Sequence, residues 1–290
     1  MLTCNPRPSV PRLRLPVGAC DAHVHVFGPA ARFPFAETRS FTPADVPKEA
    51  LFALHRELGI ERCMIVQSLC HGYDNRVVED AIAAGGGNYL GVALLPLDVA
   101  DEELARLASV GFRGVRFNFA RSSGADFDVG RVVAFSRRLE PFGMHLQVHF
   151  ERGLIHELAS PLARSAVPVV VDHMARVDAS AGTANPDFVT LHALMHNPLF
   201  RVKVSGVDRI SRATDYADGV AIAQRLVRDF PERCLWGTDW PHPLHDHVPD
   251  DGVLVDALSH IAPEPELRER LLVQNPRDFY RFGALTITAE

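Results

Sequence analysis

The chain has 290 residues, 47% of them hydrophobic, with no composition break or linker, so one large domain is expected rather than two small ones. A formal charge of −6 with scattered Lys and Arg excludes a nucleic-acid footprint, and no apolar run approaches the roughly 20 residues of a membrane span. The five cysteines form no C-x-x-C pair and no disulfide framework, which points to a reducing, cytoplasmic setting.

Residues 1–12 carry Pro6, Pro8 and Pro11 and read as an arm. They lack the apolar stretch of a signal peptide. The domain is expected over 13–290. Its first strand runs from Leu13, Leu15 and Val17 into Cys20-Asp21-Ala22-His23-Val24-His25-Val26. Alternate residues of a strand share a face, so His23 and His25 point the same way. Such a pair can bind a metal, grip an oxyanion or polarise a carbonyl. Alone, it is equally two unrelated histidines. The loop 27–46 is long and broken by Gly28, Pro29, Pro34 and Pro43, and its phenylalanines (27, 33, 35 and 41) argue that it packs over a pocket.

From residue 47 helices and strands alternate. Helices are expected over 47–58, 75–84, 101–109, 130–140, 154–163, 187–196, 214–229 and 263–274. Strands are expected over 62–67, 89–94, 114–118, 145–150, 167–172, 201–204 and 234–237. With the first, that makes eight short apolar strands, each followed by a helix. The pattern implies parallel βαβ units closed into a (β/α)8, TIM-like barrel. A doubly wound open sheet is the competitor, but no G-x-G-x-x-G follows the first strand.

Barrel chemistry sits at the C-terminal strand ends. Those ends collect His23 and His25, then Gln67 with Cys70 and His71, Arg116 and Asn118, Gln147 and His149, His173, Ser205 and Arg209, and finally Asp239 with His242. The histidines in predicted helices (55, 156, 192, 196 and 260) are given ordinary hydrogen-bonding roles. His149 alternates with Gln147 and is expected to line the barrel. Arg116, inside an apolar strand, needs a partner or a ligand; anion binding and a structural ion pair both satisfy that. Arg209 is open in the same way, and Arg113 and Arg121 can simply be solvated.

Five segments together resemble the amidohydrolase superfamily: Asp-Ala-His-Val-His-Val-Phe-Gly-Pro (21–29), Ile-Val-Gln-x-x-Cys-His-Gly-x-Asp-Asn (65–75), Gly-Val-Arg-Phe-Asn-Phe (114–119), Val-Asp-His-Met (171–174) and Trp-Gly-Thr-Asp-Trp-Pro-His-Pro (236–243). Within it they look most like the 2-pyrone-4,6-dicarboxylate lactonases and related sugar- and muconolactone-lactonases. The resemblance implies a water activated by Asp239, a lactone carbonyl polarised by His23, His25 and His173, and substrate carboxylates held by Arg116 and Arg209. Gln67, His71, His149, Asn118, Phe41, Arg121 and His242 join the expected substrate-binding set. Ester cleavage needs a base for water and fixed donors where the oxyanion develops.

Several substrate-gripping positions depart from that family. Ser122 stands where a second arginine follows the fourth strand, with Arg121 one place earlier. Phe41 replaces a tyrosine, Leu69 a serine (or Ser68 displaces it), and His149 a tyrosine. Lactone opening is therefore expected, with a small anionic lactone as partner and its identity left open. No metal is expected to be required. The alternative is one divalent ion, zinc, held by His23, His25 and Asp239. A zinc-dependent decarboxylase of aromatic or muconate-like acids is the rival on the same fold, and a non-catalytic small-acid binding protein is the rival of another class.

Overall fold

A computed structural model describes residues 4–119 and 128–285. Eight strands lie in sequence order in one sheet: β1 (Cys20–Val24), β2 (Arg62–Val66), β3 (Tyr89–Ala93), β4 (Phe112–Asn118), β5 (His145–His149), β6 (Val169–Val171), β7 (Phe200–Lys203) and β8 (Cys234–Leu235). Every ladder between neighbours is parallel. The sheet curls until β8 meets β1. Ala22 N donates to Trp236 O (2.8 Å), Asp239 N to His23 O (2.9 Å) and His25 N to Trp240 O (2.7 Å). Gly237 permits this seam, because a Cβ there would stand 2.6 Å from the His23 nitrogen. The expected (β/α)8 barrel is the observed fold.

Helices α1 (Lys48–Leu58), α2 (Arg76–Ala84), α3 (Asp101–Val110), α4 (Val129–Leu139), α5 (Ile155–Leu162) and α6 (Pro186–Leu194) follow the first six strands. Helix α1, for example, buries a stripe of Leu51, Leu54 and Leu58. After β7 the chain makes a single turn, α7 (Val207–Ile210), before the long α8 (Ala217–Asp229). None of the helices in the described residues is long and apolar enough to cross a membrane.

Three segments differ from the sequence-based expectation. Leu13, Leu15 and Val17 form no strand, because the chain turns at Pro16, whose carbonyl accepts from Ala19 N (3.1 Å). The preceding stretch is instead fastened by Asp250, which accepts from Ser9 N, and Asp256, which accepts from Arg12 N and Leu13 N. The stretch after β8 holds two short helices that went unanticipated, α9 (Asp251–Asp256) and α10 (Leu258–Ile261). The closing helix is interrupted: α11 (Pro265–Glu269) passes through a π turn (Arg270–Gln274) into α12 (Asn275–Tyr280).

The barrel interior is layered. Cys20, Ala22, Met64, Val66, Leu90, Val92, Val170 and Leu235 pack against Tyr280 and Phe282. Along β1 the register slips between Asp21 and Val24. Cys20 and Ala22 belong to the interior cluster, whereas Val24 and Val26 belong to the outer one beneath the helices. The irregularity reverses the alternation and turns His23 and His25 inward above Ala22.

Candidate active site

The floor of the site is a buried charge network. Asp172, just past β6, accepts from Arg116 Nε on β4 (2.8 Å) and from Gln147 Nε2 on β5 (3.2 Å). Lys203 on β7 donates to Gln147 Oε1 (2.9 Å) and to His23 Nδ1 (3.3 Å). Burial opposes charge on Asp172, but His23, Arg116 and Lys203 outweigh it and hold the carboxyl well below its usual range. Burial pulls the Lys203 ammonium down to about 8. Burial, then Lys203, pushes the His23 imidazole down to about 4, so the ring is neutral at physiological pH.

An ammonium only donates, so Nδ1 of His23 accepts and its Nε2 carries the proton. Asp172 Oδ1 is also 3.3 Å from Nδ1 but makes no hydrogen bond there. In His25 the pattern is reversed: Nδ1 donates to the Val66 carbonyl (2.7 Å), and Nε2 faces the site. His173 Nδ1 meets Ser205 Oγ at 2.9 Å, and burial keeps its ring well below the ordinary histidine value.

Asp239 stands above these rings in a left-handed conformation (φ 70°), a strain that aims its carboxylate into the barrel. Its Oδ2 accepts from Arg209 Nη2 (2.7 Å) and Nε (3.1 Å) and contacts His245 Nε2 (3.3 Å). Its Oδ1 has no hydrogen-bond partner among the described residues. Around Oδ1 lie Nε2 of His23 and His25, each at 3.6 Å, and Nε2 of His173 at 3.7 Å. Burial alone would raise this carboxyl, yet His173, Arg209 and their neighbours hold it well below the usual carboxylate range. Three nitrogens slightly too far for direct bonds to Oδ1 leave space for a small oxygen between them.

The residues 173–176 are all left-handed, with φ between 48° and 58°. This unfavourable turn carries His173 and Arg176 to the same side. Arg176 has no hydrogen bond or ion pair among the described residues, and burial, then Arg209, draws its guanidinium down to about 10. It lines a cavity of about 340 Å³ together with Arg116, Asn118, His149 and Phe41, with Asp239 at the base. A wider groove of about 900 Å³ lies on the helical outside beside α8, away from the strand ends.

The structure thus brings together His25, His173, Asp239, Arg116, Arg209, His149, Asn118 and Phe41 around one cavity, with His23 buried beneath. Gln67, His71 and His242 are not in its lining. Gln67 Nε2 donates to the Asp74 carbonyl (2.6 Å), His71 Nε2 accepts from Gly28 N (3.3 Å), and His242 Nε2 meets Asp251 Oδ1 (3.1 Å). These three brace the surrounding loops. Arg209 is spent on Asp239 and the Pro243 carbonyl. Arg121 and Ser122 lie outside the described residues.

Sequence reasoning passed over Asp172, Lys203, Arg176 and His245. Lys203 had a signal: it alternates with Arg201 inside a strand whose other residues, Phe200 and Val202, are apolar. Arg176 had none, because its direction depends on the left-handed turn.

The same cluster fits a divalent ion in its donor chemistry. The ligand atoms of His23, His173 and Asp239 lie within 4.8 Å of one another, and His25 Nε2 stands 3.6 Å from Asp239 Oδ1. Lys203 works against His23 as a ligand, since a protonated Nε2 has no lone pair to give.

A family profile described as amidohydrolase matches residues 20–282. The chain is 42% identical to a 2-pyrone-4,6-dicarboxylate hydrolase of Comamonas testosteroni over 285 residues, covering 94% of this chain and 93% of that one. It is 40% identical to a 4-sulfomuconolactone hydrolase of Hydrogenophaga intermedia, covering 91% and 89%. A crystal structure from Pseudomonas putida, assigned as a 2-pyrone-4,6-dicarboxylic acid hydrolase, superposes with a TM-score of 0.81 at 30% identity, covering 92% of this chain and 99% of that one.

Proposed function

The chain belongs to the amidohydrolase family, and from that premise we propose that residues 13–290 act as one hydrolase domain that opens a small lactone bearing anionic groups. Relatives named for a pyrone dicarboxylate and a sulfomuconolactone support the substrate class. The observation that carries the reaction is Asp239 Oδ1, ionised, without a hydrogen bond among the described residues and ringed by three imidazoles.

Asp239 Oδ1 takes a proton from water as the water oxygen bonds to the lactone carbonyl carbon. The carbonyl oxygen becomes an oxyanion facing His23 Nε2–H, a neutral donor that costs the site no extra charge. His25 and His173 complete the ring of nitrogens around that oxygen. Collapse breaks the bond between the carbonyl carbon and the ring oxygen, and the proton held by Asp239 passes to the departing oxygen. The new carboxyl group loses its proton to solvent. Arg209 acts through Asp239, holding Oδ2 so that Oδ1 faces the water. Arg176 and Arg116 supply positive charge for the anionic substituents, with His149 and Asn118 between them.

A divalent ion held by His25, His173 and Asp239 would supply Lewis acidity at the same carbonyl. Our reading does without one because the Lys203 contact makes His23 a donor.

Proton release on a panel containing 2-pyrone-4,6-dicarboxylate, 4-sulfomuconolactone and a carboxymuconolactone, with and without a chelator, tests the reading. Turnover that survives chelation and falls by roughly 10²–10⁴ in Asp239→Asn is expected. Silence across the panel, or turnover only with added zinc, would overturn it.

A further inference from the structure

Outside the cavity, the loop after β8 brings two histidines over the buried carboxylate of Asp208 on α7. His245 Nδ1 lies 3.0 Å and His247 Nε2 3.2 Å from Asp208 Oδ2. Yet neither ring nitrogen, nor either oxygen of Asp208, makes a hydrogen bond among the described residues. The atoms are close but misaligned for bonding one another, as ligands converging on a shared point are. Leaving a fully buried carboxylate without a single hydrogen bond is costly.

The far side of each ring also faces a carboxylate. His245 Nε2 meets Asp239 Oδ2 at 3.3 Å, and His247 Nδ1 meets Asp246 Oδ1 at 2.8 Å. With a proton on each of those nitrogens, where a carboxylate is placed to accept it, His245 Nδ1 and His247 Nε2 are the atoms left to ligate an ion beside Asp208. A carboxylate behind a ligating imidazole is the usual support of a metal-bound histidine.

We propose that Asp208, His245 and His247 form a second divalent-metal site, of zinc-like preference, separate from the His23, His25 and Asp239 cluster. The three ligand atoms lie within 4.8 Å of one another. The separations of 3.0 and 3.2 Å approach the edge of about 3.3 Å that zinc–ligand bonds of about 2.0 Å give in a tetrahedron. The half-exposed His247 places the fourth position on the solvent side, where water completes the shell. The ion ties the β8 loop to α7, which carries Arg209, and orients His245 against Asp239. It is a structural site that steadies the base from behind.

Zinc sulfate titrated into chelator-stripped protein, in competition with a chromogenic chelator, reads the equivalents bound per chain. The wild type is expected to bind one more equivalent than His247→Gln or Asp208→Asn, whereas His25→Asn keeps that equivalent. Cobalt(II) in its place should give an intense tetrahedral visible band that survives in His25→Asn and disappears in His247→Gln. His247 is surface-accessible, so His247→Gln should keep the wild-type far-UV circular dichroism. The proposal is overturned if the wild type binds no zinc, which is what two charged imidazoliums paired with Asp208 would produce. It is equally overturned if His247→Gln and Asp208→Asn bind as many equivalents as the wild type.

Discussion

Lys203 Nζ stands 3.3 Å from Nδ1 of His23 inside the barrel, and both side chains are shut off from solvent. That contact decides which nitrogen of His23 carries the proton, and therefore whether the ring offers the cavity a donor or a lone pair. In Lys203→Met the ring is free to donate Nδ1–H to Asp172, which turns its Nε2 lone pair outward. A fall in kcat of roughly 10- to 100-fold is expected, the usual size of an orienting-residue effect, together with tighter zinc binding. Unchanged kcat and zinc affinity would remove Lys203 from the argument.

Arg176 is the pocket cation without an ion-pair partner among the described residues. A hydrogen bond to a charged group contributes about 1.5–3 kcal/mol, so Arg176→Met should raise KM for a carboxylated lactone roughly 10- to 100-fold while kcat changes little. An uncharged lactone should show no such penalty. Equal losses on both substrates would mean that the variant disturbs the site as a whole.

The seam between β8 and β1 leaves no room for a side chain at Gly237, where a Cβ would meet His23 N at 2.6 Å and Asp21 Oδ1 at 2.9 Å. Overpacking of this kind costs about 1–3 kcal/mol. Gly237→Ala should lower Tm and, by moving His23 relative to Asp239, depress kcat as well. A variant with wild-type Tm and kcat would show that the seam is looser than it stands here.

Burial, helped by Lys203, holds His23 near about 4 and His145 near about 3, against an ordinary value of 6.5. Above pH 6.5 both rings are neutral whether the chain is folded or not, and they contribute nothing to the pH dependence. As pH falls from 6.5 toward 4, the unfolded chain takes up protons that the folded rings refuse, so stability declines. Below the folded values the decline stops. The gaps of about 2.5 for His23 and about 3.5 for His145 correspond to about 3 and about 5 kcal/mol. Urea midpoints should therefore drop between pH 6.5 and 4.5, and less steeply in His145→Gln. Midpoints independent of pH over that window would contradict the buried neutral rings.

Much of the architecture was legible locally. Apolar runs of strand length alternating with amphipathic helices marked each βα unit, and the chemistry at the strand ends, His-x-His after β1 and Asp after β8, stood in the sequence as written. The unanticipated parts share one cause. The short helices of 251–261 and the strand that did not form at 13–17 depend on packing and on one turn at Pro16, which periodicity does not register.

The sequence by itself determined the barrel and the set of strand-end side chains able to do ester chemistry. Only the tertiary structure decided how those side chains work. The slip in β1 turned His23 and His25 inward, the left-handed turn delivered Arg176, and Lys203, 180 residues from His23 along the chain, set the tautomer of that ring. Periodicity is a property of neighbours in sequence. Protonation and direction are set by charges and backbones that meet only once the barrel has closed.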